Sequence, residues 1–226
     1  MNKPSSIFKF ESFSEQSICN LKNAQVYFAR PKDFNDPFDC SITKQSILCS
    51  EDDVMAIHKR WMDEGRYTGD LASVLNYDDL PDDHIASINN GVQIAVKEYH
   101  NRYLNDIGCT CFSEVNDNIL MWSHYANGHK GFCIEFDPKY EPFNKIYKVN
   151  YSDKFPKLQA SKVLSGEYLD DELFTPLLTK YTDWHYEEEW RAFHKEGSTA
   201  FGYPVESVKS IYFGASMDPT HIEILS

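Results

Sequence analysis

The segment WHYEEEWR, residues 184–191, places three consecutive carboxylates just before an arginine. If it is a strand, its side chains alternate, so Glu187, Glu189 and Arg191 share one face. A Glu-x-Glu pair on the rim of a cleft can hold a sugar hydroxyl and stabilise positive charge on a sugar ring. Charge runs are more often solvated, and an exposed sheet face, or a helix with a Glu187–Arg191 pair, explains the segment without chemistry. The segment alone leaves both interpretations open.

The stretch MWSHYANGHKGFCIEFD, residues 121–137, supplies aromatic and imidazole side chains. On a helix Trp122 and Tyr125 lie on nearly one face, whereas His124 points about 100° away from Tyr125. His124 and His129 lie about 140° apart, which is poor geometry for a shared metal. A lone histidine is more often structural than catalytic. We nevertheless favour a site wall, in which His124 and Tyr125 face the glutamates across a sheet.

The loop FNDPFDC, residues 34–40, offers three oxygen-bearing side chains within five positions. Asn35 and Asp36 can make Asx-type bonds to nearby amides, and Pro37 disfavours helix at Asp36. A calcium or magnesium loop needs more oxygen ligands than Asn35, Asp36 and Asp39 supply. A turn is therefore the favoured role, Asn35 and Asp36 remain candidate ligand contacts, and no metal is expected.

Composition limits the classes of partner. The net charge of −13 argues against an extended surface for duplex nucleic acid, because such surfaces depend on Lys and Arg. The chain has neither an apolar run long enough for a membrane span nor the apolar core of a signal peptide, so we expect a cytoplasmic protein without a membrane partner. The six cysteines are irregularly spaced and predict reduced thiols.

The elements that must position these residues alternate along the chain. Hydrophobic residues make up 42% of the sequence, which is enough for a substantial core, and no linker divides it, so residues 1–226 are predicted to form a single domain. Strands are predicted at NAQVYFARP, IGCTCFSE, GFCIEFD, WHYEEEWRAFHK and VKSIYFGA, with KIYKVNYSD as the antiparallel neighbour of GFCIEFD. The fold class is α+β, with a mixed, largely antiparallel sheet, continuous or split, and a mostly helical insertion at about residues 51–106.

Four segments together resemble a widespread bacterial family that is known only as a domain of unknown function. They run from about residue 20 to residue 220 in the family's order, and they are YFARPKDFNDPFDC, CTCFSEVNDNILMWSHYANGHKGFCIEFD, WHYEEEWR and VKSIYFGA. The resemblance names a family without naming a reaction.

A second resemblance is to the Arg-Ser-Glu class of the ADP-ribosyltransferase fold. It rests on Arg30 in YFAR, Ser113 in CFSE, and Glu187 and Glu189 in YEEEW. The sequence departs from that class because Ser113 lacks the usual Ser-x-Ser neighbour and Arg30 precedes Pro31.

That second resemblance implies NAD as a substrate whose nicotinamide glycosidic bond is cleaved, with ADP-ribose passed to a protein or nucleic-acid acceptor. Glu189 would bind the ribose hydroxyl, and Arg30 or Arg191 would clamp the pyrophosphate. Tyr125 or Trp122 would stack on nicotinamide, with His124 as an alternative ribose or phosphate ligand. A toxin or phage-defence role follows by analogy alone.

Two other classes stay open. A metal-dependent nuclease or hydrolase would use Asp36, Asp39 and either Glu135 or Glu189, with His124 as base. A non-catalytic sensor or binding module would hold a nucleotide, small molecule or peptide in an aromatic cleft.

Overall fold

The computed structural model describes residues 3–36, 38–67, 69–160 and 171–226. Two compact units are present. The first comprises Met1–Cys40, Leu104–Asp153 and Leu178–Ser226, and the second comprises Ser41–Tyr103 and Lys154–Leu177. The single-domain prediction remains a prediction.

Helices and strands alternate along the chain. The α-helices in the described residues are α1 Glu15–Lys22, α2 Glu51–Asp63, α3 Asp82–Asp106, α4 Ile119–Tyr125, α5 Asp171–Leu177 and α6 Pro219–Leu225. The strands there are β1 Ile7–Glu11, β2 Gln25–Phe28, β3 Ile47–Leu48, β4 Gly108–Ser113, β5 Phe132–Phe136, β6 Ile146–Lys148, β7 Asn150–Tyr151, β8 Leu158–Gln159, β9 Thr179–Lys180, β10 Glu189–His194, β11 Thr199–Gly202 and β12 Val208–Phe213. None of the helices in these ranges is long and apolar enough to cross a lipid bilayer.

The first unit is built on a six-stranded sheet in the order β12-β5-β1-β4-β10-β6, with antiparallel neighbours throughout. Its register places Glu189 opposite Ser113 and Arg191 opposite Cys111. Because side chains alternate along a strand, these four residues share one face of β4 and β10. The predicted α+β class and largely antiparallel sheet are confirmed. A separate two-stranded sheet joins β2 to β11, and β3–β8 and β7–β9 are short parallel pairs.

Each face of the large sheet packs on its own apolar cluster. One face carries Phe112 and Trp190 in the main core, together with Phe28 from β2. The other face carries Phe8 and Phe10, which pack against Met121 and Ala126 in and beside α4. Burying a large apolar side chain contributes about 1.5–3 kcal/mol. The apolar side of α4 is thereby fixed on the face that carries Glu189 and Arg191.

The second unit is mainly helical, as the insertion at 51–106 predicted. Ser50 caps α2, and its hydroxyl and the Asp53 side chain bond each other's backbone amides. Val54 on α2 packs in one core cluster with Ile88 and Val96 on α3. The spacing of the last two residues follows one helical face, which is why the periodicity could reveal the helix.

Two details of the predicted strands were wrong. KIYKVNYSD does not pair with GFCIEFD: β6 pairs with β10, while β5 lies between β1 and β12. WHYEEEWR is not one strand, because a 3₁₀ helix spans Thr182–Glu187 and β10 begins at Glu189. Asn118 caps the helix α4. Strand β1 and helix α1 had no sequence-based prediction.

Gly131 lies just before β5, where the chain must pass very close to β1. A Cβ atom at this position would lie 2.1 Å from the Glu11 carbonyl oxygen and 3.1 Å from the Ala126 backbone.

We expect Gly131→Ala to lower the free energy of unfolding by about 1–3 kcal/mol, the usual range for overpacking. Gly91→Ala is the matched control, because Gly91 is exposed within α3 and its new Cβ would meet nothing within 4 Å. It should raise the free energy of unfolding by about 0.5–1 kcal/mol. Urea titration measures both, and equal effects would contradict the close approach at Gly131.

Candidate functional site

Arg191 is completely buried at the centre of a cluster of charged side chains. Its Nε donates to Glu189 Oε1 at 2.6 Å, and its Nη2 donates to Glu189 Oε2 at 3.1 Å and to Asp39 Oδ2 at 2.8 Å. Its Nη1 donates to Asp39 Oδ1 at 3.0 Å and to the Cys40 sulfur at 3.2 Å. A guanidinium has five N–H donors, so these five contacts engage all of them.

A tight turn in the loop FNDPFDC brings Asp39 to this arginine. The Asp36 carboxylate accepts from the Phe38 amide at 2.9 Å, and the Asp39 amide donates to the Asp36 carbonyl at 3.1 Å. Asp36 thus forms the Asx-type turn that the sequence predicts. Cys40 then takes a left-handed conformation, with φ +57°. The turn directs Asp39 inward, where it is 8% exposed.

Lys180 on β9 is the second buried cation. Its ammonium donates to Glu187 Oε2, and to Glu189 Oε2 at 3.1 Å, and lies 3.8 Å from Asp39 Oδ2. The ring of Trp184 lies 5.0 Å from the same ammonium. Lys180 therefore bridges the two glutamates of the Glu-x-Glu pair.

The backbone places Glu187 and Glu189 side by side even though Glu187 precedes the strand. Between them Glu188 adopts a left-handed conformation with φ +42°, which ends the 3₁₀ helix and starts β10. The Ser113 hydroxyl donates to the Glu187 carbonyl at 2.7 Å, and the Glu189 amide donates to the Tyr151 hydroxyl at 2.9 Å. These bonds hold both glutamates on the face that α4 covers.

Tyr125 on α4 completes the cluster. Its hydroxyl donates to Glu187 Oε1 at 2.6 Å. Burial, reinforced by the charge of Glu187, raises the pKa of the Tyr125 phenol well above its ordinary value. The phenol therefore stays protonated and acts as a hydrogen-bond donor to the carboxylate.

The cluster has one more acid than base. When fully ionised, three carboxylates (Asp39, Glu187 and Glu189) face two cations (Lys180 and Arg191), which leaves a net charge of −1. Burial opposes charge on Glu189, but Arg191 and Lys180 outweigh it and hold the pKa of Glu189 well below its ordinary value. Burial and the charge of Glu189 raise the pKa of Glu187, against the opposing effect of Lys180. Burial therefore disfavours the ionised form of Glu187, whereas the two cations favour the ionised form of Glu189.

A cleft of about 410 Å³ opens above this cluster within the first unit. A volume of this size suits a small-molecule ligand. Its walls come from β1, α1, β2, β4 and α4, and its lining includes the apolar and aromatic side chains Phe8, Phe10, Tyr27, Phe34, Met121 and Tyr125 and the ionisable side chains Lys9, Asp39, Lys180, Glu187 and Glu189. Aromatic side chains thus line the walls of the cleft, and the charged cluster forms its floor.

The structure brings some of the residues predicted from the sequence together. Glu187, Glu189 and Arg191 form the buried cluster, and Tyr125 contacts it directly. Ser113 lines the cleft and supports the Glu187 backbone. Asn35 lies on the cleft wall, whereas Asp36 lies in the turn below it.

Three predicted site residues lie elsewhere. Arg30 does not line the cleft. It follows Ala29, which forms a β-bridge with Cys109. Cys109 lies four residues before Ser113 on β4, a distance of about 13 Å along the strand. Trp122 donates its indole N–H to the Asn116 carbonyl at 2.7 Å and packs edge-on against Phe10. His124 is exposed on α4, with its ring 6.4 Å from that of Trp184.

The sequence predicted Asp39 only as part of a turn and as a metal ligand in the hydrolase alternative, and it did not predict Lys180. In the structure Lys180 lies on the two-residue strand β9, and both residues belong to the buried cluster. A buried arginine requires acidic partners, so the single signal available was the need of Arg191 for more than one carboxylate. Glu135, a candidate for the hydrolase alternative, lies outside the cleft and accepts from Ser6 and Tyr212.

Fold and site together define an α+β protein with a buried ionic cluster at the foot of an aromatic cleft. Residues 121–192 match the model of a family described as a protein of unknown function (DUF2971). This match confirms, over about one third of the 226 residues, the resemblance to a domain of unknown function. The matched segment includes Tyr125, Lys180, Glu187, Glu189 and Arg191.

No curated protein and no solved structure matches the chain. The ADP-ribosyltransferase resemblance accordingly remains a hypothesis.

The two glutamates should respond differently to loss of charge. In Glu189→Gln an amide N–H₂ would have to face Arg191 or Lys180, so we expect a loss of about 3–5 kcal/mol in the free energy of unfolding. In Glu187→Gln the amide oxygen can accept from Lys180 while its N–H₂ faces the Tyr125 hydroxyl, which can also accept. The cluster becomes neutral, and we expect a change within about 1 kcal/mol. Urea denaturation of both variants tests this, and equal losses would contradict the different charge environments of Glu187 and Glu189.

The stability difference between wild type and Glu189→Gln and the difference between wild type and Glu187→Gln should depend on pH in opposite directions. The depressed pKa of Glu189 means that its stabilisation is present above the unfolded pKa of about 4.5 and is lost as the pH falls below it. The stability difference between wild type and Glu189→Gln should therefore shrink below pH 4.5, by up to about 1.4 kcal/mol per pH unit. The raised pKa of Glu187 has the opposite sign, so wild type should lose stability relative to Glu187→Gln as the pH rises from 4.5. Denaturation between pH 3.5 and 7 measures both differences.

Proposed function

We propose that the chain is an enzyme that cleaves the nicotinamide glycosidic bond of NAD and transfers ADP-ribose to an acceptor, with Glu187 as its reacting-centre carboxylate. The observation that carries the proposal is the position of Glu187: a buried carboxylate with a raised pKa that lines a ligand-sized cleft. Perturbed carboxylates in concave sites are candidates for catalytic groups.

The charge of the cluster suits a cationic transition state. Cleavage of a nicotinamide ribosyl bond passes through an oxocarbenium-like state, in which positive charge grows on the ribose. The fully ionised cluster carries a net charge of −1 and Glu187 lines the cleft, so a developing positive charge beside Glu187 would be stabilised. One such electrostatic contact is typically worth about 10²–10³ in rate. Tyr125 would keep the carboxylate oriented toward the sugar.

This proposal reassigns the roles that the resemblance implied. Glu189 is engaged by two cations, so it serves as the support of Glu187 and not as the ribose ligand. Arg191 has no N–H left for a pyrophosphate. Lys9 and Lys180 are the lysines that line the cleft, and Lys180 is held by the glutamates, so Lys9 takes the phosphate-binding role in place of Arg30. Aromatic side chains on the same wall, such as Tyr27 and Phe34, would stack on the bases.

A non-catalytic binding module is the second candidate. It is favoured by the completeness of the cluster: Arg191 and Lys180 are paired with carboxylates of the chain itself, as a rigid floor requires. In that case the cleft would hold NAD or another nucleotide without turnover, and the polar groups would only fix its orientation.

Nicotinamide release from NAD tests the proposal. The purified chain is incubated with NAD, with and without cell extract as a source of acceptor, and nicotinamide is measured by chromatography. We expect release by the wild type and a loss of at least about 100-fold in Glu187→Gln, because the charge that stabilises the transition state is removed.

The matched control is Glu135→Gln. Glu135 is also a largely buried glutamate bonded by a tyrosine hydroxyl and close to a lysine, at 2.8 Å from Tyr212 and 3.2 Å from Lys209, but it lies outside the cleft. It should retain activity. Binding of NAD by calorimetry without release would support the binding module, and neither release nor binding would overturn both the enzyme proposal and the NAD-binding form of the second candidate.

A further inference from the structure

In the second unit, the side chains of His58 and Tyr67 both approach one ring nitrogen of His84. His58 lies on α2, Tyr67 follows that helix, and His84 lies in the first turn of α3. The distance from His84 Nε2 to His58 Nδ1 is 3.1 Å, and the distance from the same Nε2 to the Tyr67 hydroxyl is 3.0 Å. The group lies outside the cleft and is not used in the proposed function.

The backbone sets the tautomer of His58. Its Nε2 lies 3.3 Å from the Val74 carbonyl oxygen, which can only accept, so Nε2 carries the proton. In the neutral ring Nδ1 is then a bare lone pair directed at His84. A histidine that ligates a metal through one nitrogen characteristically donates its other N–H to a carbonyl or carboxylate in this way.

One hydrogen atom on His84 Nε2 cannot make a full hydrogen bond to both of its neighbours. If His84 Nε2 carries a hydrogen, that one N–H must serve both His58 Nδ1 and the Tyr67 oxygen. If it does not, the Tyr67 O–H can donate to it, but two imidazole lone pairs then face each other at 3.1 Å. A cation placed among the three atoms would engage every lone pair at once.

Two of the three donor–donor separations fit a metal ion. Two donors 3.0–3.1 Å apart, each about 2.0–2.1 Å from a common ion, subtend an angle of about 95–100° at that ion. This value lies between the octahedral and tetrahedral angles. Histidine, cysteine and carboxylate side chains alone form no group of three suited to a metal within the described ranges, so the third donor here is a phenol oxygen.

The site is sheltered on one side and open on another. His58 is completely buried, whereas His84 and Tyr67 are partly exposed and leave a path for an ion and for solvent. Trp61 stands over both partly exposed rings, with its ring 6.1 Å from Tyr67 and 6.5 Å from His84. An apolar neighbour of this kind limits solvent access to ligands.

We infer that His58 Nδ1, His84 Nε2 and the Tyr67 oxygen bind a divalent first-row transition-metal ion, with solvent in the remaining position. Imidazole nitrogen suits zinc, copper and nickel, and Zn²⁺ is the ion to test first. The inference departs from the sequence-based expectation of no metal, which considered only the spacing of His124 and His129 and the oxygens of the FNDPFDC loop. It stands independently of the NAD proposal.

Calorimetric titration of the metal-free full chain with Zn²⁺ tests the inference. We expect one ion per chain for the wild type, and affinity weakened at least about tenfold in His84→Gln and in Tyr67→Phe. These variants change partly exposed side chains, so they keep the test valid even if His58→Gln, at a buried position, fails to fold. His221→Gln is the matched control, because His221 on α6 stacks on Phe13, away from the three donors. It should bind Zn²⁺ like the wild type.

A spectroscopic readout separates this site from adventitious binding at surface histidines. Co²⁺ in place of Zn²⁺ should give a d–d absorption spectrum that His84→Gln loses and His221→Gln keeps. Zn²⁺ bound equally by wild type and His84→Gln, or no saturable binding by the wild type, would overturn the inference.

Discussion

The buried guanidinium of Arg191 is the constraint on which the site depends. An isolated charge in a protein interior costs many kcal/mol, so the arginine requires acidic partners in fixed positions. Asp39 supplies one from a tight turn near the start of the chain, and Glu189 supplies the other from the same strand. The loop FNDPFDC and strand β10 are thereby held together although 152 positions separate Arg191 from Asp39.

Arg191 pairs with both Asp39 and Glu189, and this is why the two glutamates of the site have different partners. With Lys180 added, two cations face three carboxylates: Glu189 contacts both cations, whereas the partners of Glu187 are Lys180 and the Tyr125 hydroxyl. The same short motif therefore contains two carboxylates in different electrostatic surroundings. Their difference comes from their partners, since the two side chains are chemically identical.

Local signals in the sequence were sufficient for much of the scaffold. Helical periodicity predicted the mostly helical insertion that contains α2 and α3, and the segment IGCTCFSE predicted strand β4. Pairing between distant strands was not predictable in this way: β6 was assigned to β5 and instead pairs with β10. A three-residue strand carries too little pattern to specify its neighbour, so tertiary packing chose it.

The sequence by itself determined that Glu189 and Arg191, two positions apart on a strand, share a face and that Trp122 and Tyr125 lie on nearly one face of a helix, because strand and helix periods fix the directions of side chains. Only the tertiary structure decided which charges meet. It excluded Arg30 from the cleft, added Asp39 and Lys180 from separate loops and strands, and divided the two glutamates into different roles. The physical reason is that ion pairing in a buried cluster depends on three-dimensional distance, to which spacing along the chain gives no guide beyond a few residues.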